Sequence, residues 1–318
     1  MNGTNPQRNG RICASSDSAI AEAAAILRGG GIVAVPTETV YGLAADASNA
    51  DAVADIYRTK GRPDFNPLIV HVPDILAARR LAVFDARAEA LAAAYWPGPL
   101  TFVLPLLPGA AVTAAVTAGL PTIAVRCPAH PVMQSLLQHS GLCLAAPSAN
   151  RSGHISPTRA QHVSDSLGIA APMILDGGAC ADGLESTIVA LRETDWQILR
   201  HGPITAEALC AALGSSPISV SDIEIEAPGQ MAHHYAPTKP LRLDAASARA
   251  GEWLIGFGLV NGDDNLSAAG DLAQAASRLF DSLHRADACA SMAIAVAQIP
   301  HDGIGAAIND RLSRAAAS

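Results

Sequence analysis

The stretch AVPTETVYGLAADA, residues 34–47, joins an apolar run to a cluster of polar side chains. The run Ile32–Val35 predicts a buried strand. It leads into hydroxyls, a carboxylate and a phenol, at Thr37, Glu38, Thr39 and Tyr41. Turns are usually built from Gly, Asn, Asp and Pro. We interpret the segment after the strand as a polar loop whose unusual side chains require an explanation.

The composition predicts about two domains with a largely aliphatic core. Half of the 318 residues are hydrophobic, only 4% are aromatic, and the mean hydropathy is +0.25. No stretch approaches the ~18 apolar residues of a membrane span, and the polar N-terminus lacks the apolar segment of a signal peptide. Six scattered cysteines without a C-x-x-C pair argue against a disulfide frame or a zinc site. We expect a cytoplasmic protein that does not contact membranes.

The charge argues against a protein whose main task is to hold a nucleic-acid backbone. The net charge is −8, whereas such proteins usually carry a basic surplus. Of the 21 basic side chains only two are lysines, Lys60 and Lys239. Lysine offers a compact charge where arginine offers a planar fork. Lys60 is therefore either a phosphate contact or a chance surface lysine.

The pattern of elements predicts an α/β fold in two units. Apolar periodicity and caps predict helices near 16–28, 50–60, 85–95 and 131–140, with Thr205 capping another. Short apolar runs between them predict strands. Four prolines and no helical period mark residues 215–240 as a linker. We therefore predict a disordered tail over 1–15, a catalytic domain over 16–214, and a small parallel α/β domain over 241–318.

Four polar clusters follow predicted strands, of which the opening stretch is the first. The others are Lys60, Arg62, Asn66 and His71; then Arg126; then Ser148, Asn150, Ser152 and Ser156. Each has an ordinary explanation, since cations suit a helix C-terminus and Ser and Asn are common in turns. Together they predict strand ends that line one cavity. The common phosphate-binding loops, G-x-x-x-x-G-K-[ST] and G-x-G-x-x-G, are absent.

These segments resemble the L-threonylcarbamoyladenylate synthase family, the YrdC-like proteins. The matching motifs are PTETVYGLAADA, KGRPxxNPLIVHV, WPGPLTFVL, APSANRSGxxSPT, DGGxCxxGLESTIV and LRHGPIT. PGQMAHHYAPTKPL and GIGAAINDRLSRAA resemble the longer members, which carry a linker and a C-terminal domain. The resemblance implies a twisted mixed sheet enclosing a large concave cavity, plus a small parallel α/β C-terminal domain.

The resemblance also implies a reaction. Family members join L-threonine, bicarbonate and ATP into threonylcarbamoyl-adenylate and pyrophosphate, and a separate threonylcarbamoyl transferase complex then modifies an adenosine of tRNA. No dense carboxylate cluster is apparent, so we expect Mg2+ to be held mainly by the ATP phosphates and predict no protein metal site. No stable nucleic-acid binding is expected.

Residue roles follow from the matching positions. Threonine contacts are implied for Thr39, His71, Arg126 and Ser186. ATP contacts are implied for Lys60, Arg62, Asn66, Thr122, Ala146, Ser148, Asn150, Ser156, Arg200 and Tyr235. Lys60 and Arg62 are the expected catalytic pair, which would stabilise phosphate charge. Because a charged helix end is rarely worth more than ~1 kcal/mol, we expect Lys60→Ala to lose activity more than folding.

The linker is expected to act as a lid over the nucleotide, with Tyr235 folding back onto it. Ala227 departs from the family, since a serine often precedes the Pro-Gly of the linker. Two alternatives remain open: a module that binds RNA on a concave surface, and an ATP-dependent carbamoyl-type enzyme with another amine substrate. The acidic charge and low aromatic content count against the RNA module.

Overall fold

The computed structural model describes residues 10–218, 226–227 and 234–317. The strands of the first unit are β1 (Ile12–Ala14), β2 (Val33–Pro36), β3 (Tyr41–Asp46), β4 (Ile69–His71), β5 (Leu100–Pro105), β6 (Thr122–Arg126), β7 (Leu144–Ala145), β8 (Met173–Asp176), β9 (Thr187–Leu191) and β10 (Trp196–Arg200). Its helices are α1 (Asp17–Arg28), α2 (Ala50–Lys60), α3 (Ile75–Ala78), α4 (Ala86–Tyr95), α5 (Ala114–Thr117), α6 (Pro131–Ser140), α7 (Ala160–Leu167) and α8 (Ala206–Leu213), with a 3-10 turn at Gly168–Ala170.

The strands of the first unit form one mixed sheet. Their order is β1-β8-β2-β3-β7-β4-β6-β5-β9-β10. Neighbours β4 and β6 run parallel, as do β5 and β9, whereas β7 runs antiparallel to both β3 and β4. The predicted mixed α/β sheet is therefore confirmed.

The second unit is a small parallel sheet, as predicted. Its strands are β11 (Leu241–Arg242), β12 (Glu252–Gly256), β13 (Asp264–Asn265) and β14 (Ala293–Val296), and its helices are α9 (Leu272–Ala288) and α10 (Gly305–Ala316). The order is β11-β14-β12-β13, with parallel pairing throughout. In the part of the chain that the structure describes, no helix combines the length and apolar character needed to cross a bilayer.

The opening stretch forms a hairpin whose turn holds Thr37, Glu38 and Thr39, so the polar loop that we expected is shorter than predicted and Tyr41 already begins a second strand. β2 and β3 pair antiparallel from Val33↔Ala44 to Pro36↔Tyr41. The Thr37 hydroxyl oxygen accepts from the main-chain N–H groups of Thr39 and Val40, both at 3.2 Å, and donates to the Val40 carbonyl at 2.7 Å. A threonine hydroxyl thus supplies the local bonds of the turn, a role that Ser and Thr share with Asn and Asp.

The start of the first unit is also earlier than predicted. Residues 12–14 of the expected tail form β1, which pairs parallel with β8 from Ile12↔Ile174 to Ala14↔Asp176. Three residues, two of them exposed, carry too little apolar periodicity to signal a strand. Residues 1–9 of that expected tail lie outside the described residues.

The two units share a hydrophobic core. Val40, Ile155 and Leu184 of the first unit pack in one cluster with Leu279 and Ile308 of the second. Of the predicted linker, residues 219–225 and 228–233 lie outside the described residues. Ala227 is fully buried against apolar side chains of β4, β5, β6, β9 and β10. Ala227 of the linker therefore packs on the sheet face.

Candidate active site

Side chains from both hairpin strands, several strand ends and the linker line one pocket. The lining residues are Thr37, Thr39, Val40, Gly42, Arg62, Ile69, His71, Arg126, Ala146, Pro147, Ser148, Glu185, Ser186, Arg200, His234 and Tyr235. The space between them is about 40 Å³, enough for water but far below the several hundred Å³ of a typical ligand pocket. The pocket forms at the strand ends, as expected, but it is far smaller than the large concave cavity that we predicted, and a nucleotide would have to displace side chains to enter it.

One end of the pocket joins the hairpin turn to β6. Arg126, the last residue of β6, donates from Nη1 to the Thr39 hydroxyl at 2.9 Å and from Nε to the Gly98 carbonyl at 3.2 Å. Its Nη2 lies 2.7 Å from Glu38 Oε1. The predicted threonine residues Thr39 and Arg126 are thus in direct contact.

The direction of the hydroxyl bonds in the turn follows from counting protons. The Thr37 hydroxyl gives its single proton to the Val40 carbonyl. The 2.8 Å contact between the two threonine hydroxyls therefore uses the Thr39 proton. Thr39 Oγ1 donates to Thr37, accepts from Arg126, and keeps one lone pair for a ligand.

His71 lies at the end of β4, beside Arg126 in the register of β4 and β6. Burial, followed by the charge of Arg126, lowers the pKa of His71 to about 3. The imidazole is therefore neutral near pH 7. Its Nδ1 atom has no hydrogen-bond partner among the residues that the structure describes. A buried polar atom without a partner at a pocket wall is a candidate ligand contact.

Ser186 is held between two strands and an arginine. Its hydroxyl lies 2.7 Å from the Thr101 hydroxyl. Arg200 donates to the Ser186 hydroxyl from Nη2 and to its carbonyl from Nε, both at 3.0 Å. Arg200 therefore positions Ser186.

Lys60 lies behind the Ser148–Asn150 loop and does not line the pocket. Its Nζ donates to the carbonyl oxygens of Ser148 and Asn150, both at 2.5 Å. The side chain is 4% exposed, which contradicts our view of Lys60 as a helix-end charge of little structural weight. That it contacts phosphate stays a prediction.

The second residue of the predicted catalytic pair, Arg62, does line the pocket. It donates from Nε to the Asn66 carbonyl at 3.3 Å and from Nη2 to the Pro67 carbonyl at 3.0 Å. Asn66 is buried, and the atom that accepts the bond from Arg62 is its main-chain oxygen. Asn66 therefore supports Arg62 from outside the pocket wall.

Three further predicted ATP residues lie outside the wall. The Asn150 amide donates to the carbonyls of Arg151 and His154, and Ser156 donates to Glu185 at 2.5 Å. Thr122 begins β6, at the opposite end from Arg126. The predicted residues Ala146, Ser148 and Tyr235 do line the pocket.

Buried positive charge exceeds buried negative charge around the pocket. The described cations are Lys60, Arg62, Arg126, Arg200 and Arg311, and the described carboxylates with comparable burial are Glu38 and Glu185. Burial, with a contribution from Arg200, lowers the pKa of Arg62 to about 10. Burial and Arg62 lower the pKa of Lys60 well below its usual range. Crowded, desolvated cations of this kind favour an anionic ligand.

The sequence did not identify three residues of the wall, Thr37, Glu185 and His234, or Arg311 behind it. Glu185 directly precedes the predicted Ser186, and its position in GLESTIV was the available signal. His234 precedes Tyr235 and is buried beside it. Arg311 falls in an amphipathic helix of the second unit, where a charged residue normally indicates a solvated face. Thr37, the turn former, carried a hydroxyl that we noted without assigning it a role.

The acidic residues near the pocket are occupied by the protein itself. Glu185 accepts from Ser156 and Arg311, and Glu38 pairs with Arg126. Among the described residues no group of three or more His, Cys, Asp or Glu side chains could hold a metal ion. That Mg2+ is held mainly by the ATP phosphates stays a prediction.

Two family models match the chain. A model of Sua5, YciO and YrdC proteins, described as Telomere recombination, matches residues 25–202. A second, described as Threonylcarbamoyl-AMP synthase, C-terminal domain, matches residues 204–317. Together they cover most of the first unit, the linker and the second unit.

Individual relatives are similar along nearly their whole length. The chain is 40% identical to the Threonylcarbamoyl-AMP synthase of Bacillus subtilis over 95% of this chain and 94% of that one. It is 35% identical to the Pyrococcus abyssi protein of the same name, over 92% of each.

Solved structures show the same likeness. The crystal structure of P. abyssi Sua5 complexed with L-threonine matches with a TM-score of 0.87 and 33% identity, over 96% of this chain and 97% of that one. E. coli YciO matches with a TM-score of 0.55 and 22% identity, over 61% of this chain and 96% of that one. The second match shows a likeness of fold alone.

Proposed function

The chain belongs to the threonylcarbamoyl-AMP synthase family, and from this membership and the pocket we propose the reaction that it catalyses. The enzyme joins L-threonine, bicarbonate and ATP into threonylcarbamoyl-AMP and releases pyrophosphate. The product serves the threonylcarbamoyl modification of adenosine in tRNA.

The surplus of buried cations is the observation that carries the assignment. A triphosphate supplies the negative charge that the pocket lacks, and Arg62 and Arg200 on its wall offer planar donors suited to phosphate oxygens. Lys60 would hold the Ser148–Asn150 loop against the nucleotide, or turn from its two carbonyls onto a phosphate.

The other end of the pocket suits an amino acid with a hydroxyl. We assign the substrate carboxylate to Arg126, which would exchange its contact with Glu38 for the ligand. The free lone pair of Thr39 Oγ1 and the unpartnered Nδ1 of His71 suit the hydroxyl and the amine of threonine. A site built to hydrogen-bond a hydroxyl rejects analogues that lack it.

The chemistry needs no covalent protein intermediate. The threonine nitrogen bonds to the carbon of bicarbonate, and water leaves. An oxygen of the resulting carbamate bonds to the α-phosphorus of ATP as the bond to pyrophosphate breaks. Enclosure by His234 and Tyr235 would protect the labile carbamate from water. The residues contribute positioning and charge stabilisation, Arg62 at the phosphates and Arg126 at the carboxylate.

Mg2+ belongs to the proposal as a companion of ATP. Bound by the phosphates, it would neutralise part of their charge. The product would pass to a separate threonylcarbamoyl transferase complex, and we propose that both reactions take place in the cytoplasm.

The test is pyrophosphate release by the purified chain in the absence of RNA. Omission of threonine, bicarbonate or ATP should each abolish release. Equal release with serine would indicate another amine substrate, and release that requires RNA would favour the RNA-binding alternative. Either result contradicts the proposed function.

A further inference from the structure

Arg311 reaches from the second unit to the back of the pocket wall, where it contacts the wall residues Glu185 and Tyr235. It lies on α10, yet its side chain is 0% exposed. Its Nε donates to Glu185 Oε2 at 2.9 Å, and its Nη2 donates to the main-chain oxygen of His201 at 2.8 Å. Both acceptors belong to the first unit, so the guanidinium bridges the two units.

The same guanidinium holds an aromatic ring of the pocket. The carbon at its centre lies 5.1 Å from the ring centroid of Tyr235, within the range of a cation–π contact. Phe280 of α9 stacks on the same ring with centroids 5.7 Å apart. Tyr235 has a φ of 67°, in the left-handed region that tyrosine seldom adopts, so its placement depends on such contacts.

Glu185 extends this contact toward the expected nucleotide site. One of its oxygens accepts from Arg311 and the other from the Ser156 hydroxyl at 2.5 Å. His284 of α9 lies 3.1 Å from the main-chain oxygen of Ser156. The second unit therefore contacts Ser156 directly through α9 and indirectly through Arg311.

Charge explains why the pair is needed. Glu185 faces a pocket proposed to hold a triphosphate, and an unpaired carboxylate there would repel it. The charges of Arg311 and then Arg200 hold the pKa of Glu185 below its usual value despite its burial. Arg311 thus neutralises a carboxylate that stays ionised, while Asp310 lies 2.6 Å from Nη1 at the outer side.

We infer that Arg311 is a positioning residue for ATP. It orients Tyr235, which lines the pocket, and through Glu185 it orients Ser156, an implied ATP contact just outside the wall, so the second unit supports the nucleotide end of the pocket without touching the substrate itself. This inference rests on the proposed function and assigns the second unit a part in it. The described contacts of Arg311 include none of the implied threonine residues Thr39, His71, Arg126 and Ser186, so we expect the effect to be specific to the nucleotide.

The test compares Arg311→Gln with the wild-type full-length chain. Dissociation constants for ATP and L-threonine come from calorimetry, and KM and kcat from pyrophosphate release. Arg311→Gln removes a charge-assisted hydrogen bond in a buried site, so its dissociation constant for ATP should be about tenfold higher or more. The threonine dissociation constant should stay at the wild-type value. Arg314→Gln, on the same helix and paired with Asp310, is the matched control and should leave both unchanged.

Other outcomes overturn the inference. A purely stabilising role would lower the melting temperature and kcat per total protein while the ATP dissociation constant stays unchanged. Equal losses of ATP and threonine affinity would indicate a general collapse of the pocket. If Arg311→Gln does not fold, Arg311→Lys carries the test, since it keeps the charge, loses the fork and should weaken ATP binding to an intermediate degree.

A double variant tests the link through Glu185. Glu185→Gln removes the carboxylate that Arg311→Gln leaves unpaired, so the two effects on ATP affinity should be less than additive. Full additivity would contradict the link. Wild-type pyrophosphate release in the same assay tests the proposed function separately, so failure of the one is distinguishable from failure of the other.

Discussion

The hydroxyl of Thr39 has two protein partners before any substrate binds. Its proton goes to Thr37, and one lone pair accepts from Arg126. The remaining lone pair has a fixed direction because both partners are buried. This pre-organisation accounts for threonines in a turn where glycine or asparagine is usual: one builds the turn, and the other presents the contact.

The first prediction concerns this hydroxyl. Thr39→Val keeps the shape but leaves Arg126 Nη1 without its acceptor, so the KM for threonine should rise about tenfold or more. The KM for ATP should change little. Both are measured by pyrophosphate release, with Thr194→Val on an exposed turn as the control. An unchanged KM for threonine would remove Thr39 from the binding site.

The second prediction replaces our earlier expectation for Lys60. Lys60→Met leaves the carbonyls of Ser148 and Asn150 without their donor, and the cost of such buried groups should lower the free energy of unfolding by about 2 kcal/mol. Relief of a buried charge offsets part of the loss. Urea unfolding measures the change in the free energy of unfolding, with Arg58→Met on the exposed side of α2 as the control. Equal stability of the two variants would restore the helix-end interpretation.

At the residue scale, the motifs predicted the residues that line the pocket better than the residues that hold them from behind. Thr39, Arg62, His71 and Arg126 line the pocket as the strand-end clusters suggested, and Ser186 lines it as the resemblance implied. Lys60 could not be placed from its motif, because a lysine that caps carbonyls and one that binds phosphate have the same sequence context. Only the fold shows the carbonyls.

Local signals identified most elements. Helix α2 ends at Lys60 and is followed by Gly61, whose φ of 60° suits a C-terminal glycine. Thr205, the predicted cap, accepts from Ala208 at the start of α8. The sequence did not reveal β1, because its partner β8 is distant in the chain. It did not reveal the pairing of β3 with β2 either, because β3 begins inside a polar stretch. Pairing energy of that kind leaves no local period.

At the element scale, the contact between the units depends on a glycine. Gly183 has a φ of 70°, and a Cβ there would lie 2.4 Å from the Ser277 carbonyl oxygen on α9. The chain can approach α9 this closely only without a side chain. The second unit packs against the GLEST segment for this reason.

The third prediction tests that packing. Gly183→Ala should lower the free energy of unfolding by about 1–3 kcal/mol more than Gly178→Ala, because only the first creates a clash. Gly178 is the matched control, since its φ is 85° and nothing lies within 4 Å of its added Cβ. Urea unfolding gives both values. Equal costs would show that left-handed strain alone explains the effect.

At the scale of the whole molecule, an acidic protein encloses a basic pocket. The net charge of −8 argued against nucleic-acid binding. A net charge does not show where charges lie, so it could not reveal the cations buried around the pocket. The docking of the second unit was equally hidden. Arg311 looks like a surface charge of an amphipathic helix until α10 is placed against Glu185.

The fourth prediction concerns acid stability. Burial lowers the pKa of His71, His162 and His234 to about 3, against an unfolded value near 6.5. The folded protein therefore binds fewer protons than the unfolded chain in this window, so stability is full above about pH 6.5 and falls as the pH drops toward 3. By pH 5 each buried histidine should lower the free energy of unfolding by about 2 kcal/mol.

His162, at the seam between the units, isolates this effect. It stacks on His284 at 3.8 Å and lies beside Asp281, Arg159 and Arg285. Urea midpoints at pH 7 and pH 5 should differ less in His162→Gln than in the wild type. His301→Gln, at an exposed position, should retain the wild-type difference. An unchanged pH response in His162→Gln would contradict the buried neutral state.

The most direct measurement of the central claim is the product itself. The purified chain is incubated with ATP, L-threonine and 13C-labelled bicarbonate, and the nucleotides are analysed by mass spectrometry. We predict threonylcarbamoyl-AMP carrying the single label, formed in step with pyrophosphate and absent when threonine is omitted. Pyrophosphate and AMP without a labelled adenylate, or an adenylate formed equally well from serine, would contradict the account.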